Sequence, residues 1–295
     1  MNEETPESLT ASTRLGDVEY ADFGDGPPVL VVHGTPGGCD QGALMGRFLE
    51  RSGFRVIAPS RPGYLGTPLT DDNATPDRQG DLHAALLDEL GVERAAVLGW
   101  SGAGPSSYRL AAAHPDRVTS LVATACVSRR YAVEKTTTDG FMFGTAAGNW
   151  LMRVLVAHAP GQVVQGELDS EGDLTKEELE ARTEAVMADP EKSAFALGMA
   201  LSVSTRGERK AGYENDLVQL AAIESLGLEE IEAPVLIVQG TVDTDVPPDF
   251  SRFAAAEIPG ARLVEIEAGT HLALYLSDDA TAVQAQVCDF LRERV

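Results

Sequence analysis

The stretch Ala95-Ala96-Val97-Leu98-Gly99-Trp100-Ser101-Gly102-Ala103-Gly104 decides how the chain is read. An apolar run leads into a serine followed by glycine, and Pro105 to His114 then reads as a helix closed by Pro115. A serine placed between a buried strand and a helix, with small residues two positions before and two after it, sits where a chain turns sharply. Such a turn lifts the hydroxyl above the edge of a sheet. Ala103 stands where a second glycine is usual, and its single methyl leaves the turn possible. The pattern G-x-S-x-[GA] also describes ordinary structural turns, so its meaning depends on what the rest of the chain supplies.

Apolar runs recur at Val29 to Val32, Arg55 to Ala58, Val118 to Val127, Val235 to Val238 and Leu263 to Ile266. They are nearly continuous rather than alternating, as expected of strands buried on both faces of a parallel sheet. Helical patterns separate them. Leu82, Leu86 and Leu90 recur every four residues and stop at Gly91, while Val283, Val287, Phe290 and Leu291 line one side of a segment that follows Ser277-Asp278-Asp279. This alternation predicts an α/β fold, a doubly wound and mostly parallel sheet with helices on both faces. It lapses after Val127 and resumes near Ala233, across roughly a hundred residues with helical patterns but no comparable strand. Within them Thr175 and Glu178 form a capping-box signature ahead of Leu179, and Pro190 is expected to end that segment. The expected organisation is a sheet domain over 1–127 and 230–295 with a helical cap inserted at 128–229.

The 295 residues, 43% of them hydrophobic, suit one large domain bearing an insertion. Apolar stretches fall short of the ~18 residues a membrane span needs. The first ten residues, MNEETPESLT, carry acids and a proline where a secretory leader starts basic and turns apolar, so a cytoplasmic location is expected. Twenty-three basic residues against 46 acidic ones give a net charge of −23, a field that repels phosphate backbones and anionic lipid. Neither nucleic acid nor a membrane is expected as a partner. Only four of the basic residues are lysines. The balance resembles that of proteins from salt-loving organisms, where screening tolerates like charge, with an ordinary acidic protein from an arginine-favouring genome as the alternative. Cys39, Cys126 and Cys288 lack C-x-x-C spacing, which points to buried thiols rather than to disulfides or a zinc site.

A free serine hydroxyl is a weak nucleophile, so Ser101 needs a histidine in reach and a carboxylate to orient it. His271, in Gly269-Thr270-His271, follows the run at Leu263 to Ile266 and opens on the same sheet edge as Ser101. His83 and His114 fall in or at the ends of helices as surface or packing residues, and His158 lies in the insertion with no strand ahead of it. The carboxylate expected is Asp243, just beyond the run at Val235 to Val238, with Asp245 two residues on as its competitor. The order Ser101, Asp243, His271 differs from the chymotrypsin and subtilisin orders.

At these residues the sequence resembles the α/β-hydrolase family, in particular its smaller, cap-bearing members with an H-G-x-P-G loop. The likeness rests on His33-Gly34-Thr35-Pro36-Gly37-Gly38, on Arg61-Pro62-Gly63-Tyr64 with Gly66, on the serine turn, and on the loops holding Asp243 and His271. It spans the sheet domain, whereas the insertion matches only in place and approximate size. The resemblance implies that the backbone N–H groups of Thr35 and Gly102 face a developing oxyanion, and that His33 is structural. Trp100 is expected to pack beneath the serine turn.

The expected chemistry is acyl transfer on a small-molecule ester or amide, with no metal or organic cofactor required. Esters come first because this machinery cleaves them more easily. A proline iminopeptidase-like activity, carbon–carbon bond hydrolysis and cofactor-free haloperoxidation stay open, as does a receptor that binds without turnover. Haloalkane dehalogenases and epoxide hydrolases of this fold use an aspartate nucleophile, which Ser101 argues against. Phe141, Met142, Phe143, Trp150, Leu151 and Met152 are candidates for an apolar substrate lining, Phe141, Phe143 and Trp150 foremost, or for packing the cap on the sheet domain. Glu167, Asp169, Glu171 and Asp173 are cap acids that a free amino terminus would fit, in a chain rich in acids throughout. The oligomeric state stays open.

Overall fold

The apolar runs become strands of one eight-stranded sheet in a computed structural model that describes residues 6–132 and 141–293. Residues 1–5 of the opening stretch and 133–140 of the expected insertion lie outside the described residues. The strands are β1 (Leu9–Thr13), β2 (Gly16–Phe23), β3 (Pro28–Val32), β4 (Arg55–Pro59), β5 (Ala95–Trp100), β6 (Val118–Thr124), β7 (Val235–Gly240) and β8 (Arg262–Ile266). Their spatial order is β1-β2-β4-β3-β5-β6-β7-β8, with β1 and β2 antiparallel and the other six parallel. Every residue of β5 and β7 is buried, which is why those strands read as unbroken apolar runs.

Helices cover both faces. α1 (Cys39–Arg51) and the C-terminal α11 (Ala280–Arg292) pack on one, and α2 (Pro76–Glu89), α3 (Gly104–Ala113) and α9 (Pro248–Glu257) on the other. α2 starts where Thr75 accepts the Arg78 N–H and Pro76 occupies the first turn, and the chain leaves it through Gly91 at φ 65°. A short α10 (Ala273–Leu276) follows the His271 loop.

Between β6 and β7 the described residues carry helices α4 (Ala146–His158), α5 (Pro160–Ser170), α6 (Lys176–Ala188), α7 (Pro190–Ser202) and α8 (Lys210–Ala221). The capping box is formed, with Thr175 and Glu178 bonding each other's main chain. Pro190 does not merely end α6. It opens α7, where Asp189 accepts the N–H groups of Glu191 and Lys192.

One expectation needs correction, and one element carried no signal in the sequence. The run Val118 to Val127 is a strand only to Thr124, because Ala125 takes φ 46° and Val127 then donates its N–H to the carbonyl of Ser101. The hairpin β1–β2 was not anticipated. Its strands are half exposed, with Ala11, Val18 and Tyr20 turned inward among polar residues, so they lack the continuous apolar signature of the parallel strands.

The register puts the working ends of the strands at one level. Val32 pairs with Gly99, Trp100 with Thr124, Thr124 with Val238 and Gly240 with Ile266. The loops carrying Thr35, Ser101, Asp243 and His271 therefore leave the same edge. Strand order reverses between β3 and β5, the position where open α/β sheets form their ligand crevice.

Candidate active site

Ser101 is the first residue beyond β5 and has φ 56°, a left-handed conformation that costs a side-chain-bearing residue about 1–3 kcal/mol. Its neighbours explain how the turn is held. A Cβ on Gly99 would lie 2.6 Å from the Ser107 hydroxyl, so α3 packs directly on that glycine. Ala103 is fully enclosed. Its methyl fills the space that the sequence left in question.

Asp243 and His271 are brought together. His271 Nδ1 lies 2.8 Å from Asp243 Oδ2, with both residues buried. The carboxylate is saturated around that contact. Its Oδ1 accepts the N–H groups of Asp245 and Val246, each at 2.9 Å, and Oδ2 also accepts Gln239 Nε2 at 2.9 Å. Gln239 is in turn fixed by the Ser251 hydroxyl at 2.6 Å. Asp245, the competitor, contributes its backbone to this cradle and leaves its own residue exposed. Nδ1 of His271 donates to the carboxylate so fixed. Burial opposes a charged imidazole, but the charge and hydrogen bond of Asp243, with Asp245 beyond, outweigh it and hold His271 above its ordinary value.

Trp100 lies beside the histidine rather than only beneath the turn. Its ring centroid is 4.9 Å from that of His271, and its Nε1 donates to the His271 carbonyl at 3.3 Å. The loop after β3 closes the other side. A Cβ on Gly34 would stand 2.7 Å from the Trp100 ring and 3.1 Å from Ser101 Cβ. Gly102 is equally close to Thr35, since a Cβ there would lie 2.0 Å from its hydroxyl oxygen and 3.4 Å from its nitrogen. Only glycine permits this approach.

His33 has no freedom for proton transfer. Its Nδ1 donates to the Gly34 carbonyl at 2.8 Å, and its Nε2 accepts the Arg61 N–H at 2.9 Å. Burial and the adjacent Arg61 charge hold its pKa well below the usual imidazole value. His83 is buried, with burial the larger cause of a pKa lowered to about 3, and His114 pairs with Asp81 on the periphery.

One residue that sequence reading did not single out is Asp216, on α8 of the insertion. Its carboxylate takes both terminal nitrogens of Arg61, at 2.8 and 2.6 Å, the Tyr64 hydroxyl at 2.5 Å and the Thr35 hydroxyl at 2.6 Å. Arg61 also donates to the carbonyls of His33 and Gly34. The motif Arg61-Pro62-Gly63-Tyr64 was visible in the sequence, but its acidic partner was not.

The expected lining is only partly realised. Phe141 and Trp150 are exposed, at 47% and 65%, so they do not form an enclosed apolar wall. Phe143 lines a cavity of about 200 Å³ with Met142, Met152, Arg206 and Arg209, and Ser101 is not part of that cavity. Leu151 is half buried in α4. Of the cap acids, Asp169 and Asp173 are exposed, whereas Glu167 and Glu171 each close one carboxyl oxygen, Oε2, away from solvent with no hydrogen-bond partner. All three cysteines are buried thiols. Among the described residues no group of three or more His, Cys, Asp or Glu side chains is placed to hold a metal ion, and no helix is long and apolar enough to cross a membrane.

The family model for the alpha/beta hydrolase fold matches residues 27–278. A solved structure described as an alpha/beta hydrolase fold protein from Nakamurella multipartita is 49% identical, with a TM-score of 0.94 over 97% of this chain and 99% of that one. Among curated protein sequences, the uncharacterized hydrolase YcgS of Bacillus subtilis is 26% identical over 94% of this chain and 95% of its own. A 2-hydroxy-6-oxononadienedioate/2-hydroxy-6-oxononatrienedioate hydrolase of Cupriavidus pinatubonensis is 27% identical over 96% and 95%.

Proposed function

The chain belongs to the alpha/beta hydrolase fold family, and on that premise we propose that it hydrolyses small carboxylic esters through an acyl-enzyme formed on Ser101. The observation that carries this reading is the buried His271–Asp243 hydrogen bond on the same sheet edge as a serine held at positive φ. Nε2 of His271 takes the proton as the Ser101 oxygen attacks the ester carbonyl. The carbonyl oxygen becomes an oxyanion, facing the N–H groups of Thr35 and of Gly102 in the turn that leads into α3, where fixed dipoles stabilise it. The intermediate collapses as the carbon–oxygen bond to the alcohol breaks, and the imidazolium returns its proton to the departing alkoxide. Water then attacks the acyl-serine, gives a proton to His271, and the acid leaves as Ser101 regains its hydrogen. Asp243 holds the required tautomer and stabilises the transient imidazolium throughout. No step calls for a cofactor.

A second reading, carbon–carbon bond hydrolysis of a vinylogous keto acid by this chain, is favoured by the full-length likeness to the 2-hydroxy-6-oxononadienedioate/2-hydroxy-6-oxononatrienedioate hydrolase. A fluorophosphonate probe and a panel of short acyl esters and vinylogous keto acids separate the two. Ser101→Ala is expected to lose the label and to lower kcat on esters by something on the order of 10⁶. An unlabelled wild type, or a variant that keeps the full ester rate, overturns the ester proposal. Turnover confined to the keto acids transfers it to the second reading.

A further inference from the structure

The insertion meets the sheet edge at a second place besides Asp216, and does so through main chain. As α5 ends, the carbonyl of Glu171 accepts two N–H groups, that of His271 at 3.2 Å and that of Thr244 at 3.3 Å. Two residues on, the N–H of Asp173 donates to the carbonyl of Val242 at 2.9 Å. Gly172 between them pairs with Asp243 as an isolated antiparallel bridge. Three consecutive residues of the insertion thus grip the loop that carries Asp243 on both sides of that residue, and the loop that carries His271 at the histidine itself.

The fit leaves no slack. A Cβ on Gly172 would lie 2.3 Å from Thr270 Cγ2 and 2.9 Å from Thr270 Cβ, and Thr270 is buried. Any side chain at 172 must push the segment away from the residue that precedes His271. The two loops also bond each other, through Val242 N–H to the Gly269 carbonyl at 3.0 Å, so the insertion supplies the third side of a closed main-chain arrangement. Proton transfer and attack demand positioning to fractions of an ångström, and a displacement of 1 Å remote from the chemistry can cost about a hundredfold in rate.

We propose that Glu171–Asp173 is a positioning segment of the active site, a main-chain clasp by which the insertion sets the distance and angle between His271 and Asp243. This rests on the reading of Ser101, His271 and Asp243 as the acyl-transfer groups. The insertion is then a structural part of the catalytic centre as well as a cover for it.

Gly172→Ala tests the clasp. With rates normalised to fluorophosphonate-titrated sites, kcat on a short ester is expected to fall by about tenfold to a hundredfold, with KM unchanged within about twofold. Because Asp243 raises the His271 pKa, a looser contact moves the acidic limb of kcat/KM to lower pH, and the downfield proton resonance of His271 Nδ1–H shifts with it. Adding Thr270→Ala, which removes the atom nearest the new methyl, is expected to restore kcat above that of Gly172→Ala alone. Gly166→Ala, on the same α5 at a position where a Cβ meets nothing within 4 Å, is the neutral control. A Gly172→Ala enzyme with wild-type kcat and pH limb overturns the proposal, as does one in which KM alone rises or in which the Thr270→Ala addition gives no recovery. Should Gly172→Ala fail to fold, Asp173→Pro, which deletes one clasp donor and sets a ring carbon against the Val242 carbonyl in its place, is read by the same limb and resonance, an unchanged pair again overturning it. An unlabelled wild type, or an active Ser101→Ala enzyme, refutes the catalytic reading instead, and the clasp with it. A labelled wild type, an inactive Ser101→Ala and a normal Gly172→Ala refute the clasp alone.

Discussion

Asp216 and Glu167 both belong to helices of the insertion, and both turn carboxyl oxygens away from solvent, yet their surroundings are opposite. Asp216 meets the buried guanidinium of Arg61 and two hydroxyl donors, a set that compensates the cost of removing the charge from water. The Oε2 atoms of Glu167 and its neighbour Glu171 meet no donor. Burial raises Glu167 to about 8, and burial, then Glu167, Asp245 and Asp243, raise Glu171 well above the carboxylate range. One acid is matched by partners, whereas burial without a donor favours the protonated form of the others. In a chain of net charge −23 the enclosed arginine is spent on the loop that bears Thr35, while the acids near the His271 loop go without.

The sharpest way to break this contrast is Asp216→Ala. It strands the Arg61 guanidinium, 2% exposed, without a counter-charge, and truncation of one partner of a buried pair costs about 3–5 kcal/mol. Urea unfolding is expected to show that loss, with ester turnover falling in the protein that remains folded. The double replacement Arg61→Met with Asp216→Leu is expected to recover much of the stability and little of the turnover. A loss below about 1 kcal/mol, typical of an exposed pair, means that Asp216 is not the compensated charge described.

Thr35→Val is the next largest. It deletes the hydroxyl that donates to Asp216 and accepts from Arg61 Nη2 at 3.0 Å, while keeping the main-chain N–H. A hydrogen bond to a charged group is worth about 1.5–3 kcal/mol, and the stability loss is expected within that range. If the loop then drifts from the serine turn, kcat falls about tenfold or more through a misplaced donor. Unchanged kcat with reduced stability would show that the network stabilises the fold without aiming the Thr35 N–H.

What was legible in the sequence follows the same division. Strands buried on both faces announce themselves as apolar runs, and a serine, an acid and a histidine each placed just after such a run were identifiable by position alone. The structure accordingly brings Asp243 and His271 into contact. Asp216 was illegible because Lys210–Ala221 offers Glu214 and Asp216 on one polar helix, and only the tertiary approach of Arg61 distinguishes them. Glu167 and Glu171, in the sequence two of four acids that a free amino terminus would fit, are closed off at Oε2. Gln239 carried a usable signal, a lone polar residue in the apolar run Val235–Gly240, and it bonds Asp243. Phe141 and Trp150 misled in the other direction, since apolar character alone does not say which side of a helix meets solvent.

The smallest effect, and the one that isolates the uncompensated acids, is the pH dependence of Glu167→Gln. In the unfolded chain Glu167 loses its proton near 4.5, whereas in the folded protein it keeps it to about 8. Between those values unfolding releases a proton, so stability falls as pH rises through the window and levels off above it. Glutamine cannot ionise, and its amide hydrogens offer the unpartnered Glu171 Oε2 a donor. The variant's Tm is therefore expected to track wild type near pH 4, to exceed it by pH 8, and to decline less steeply in between. Glu171 and His271 also titrate in this neighbourhood, so the quantity to read is the difference between the two curves, not either slope. Curves that stay parallel from pH 4 to 8 would mean that Glu167 titrates normally when folded, and the distinction between a partnered Asp216 and an unpartnered Glu167 would lose its energetic content.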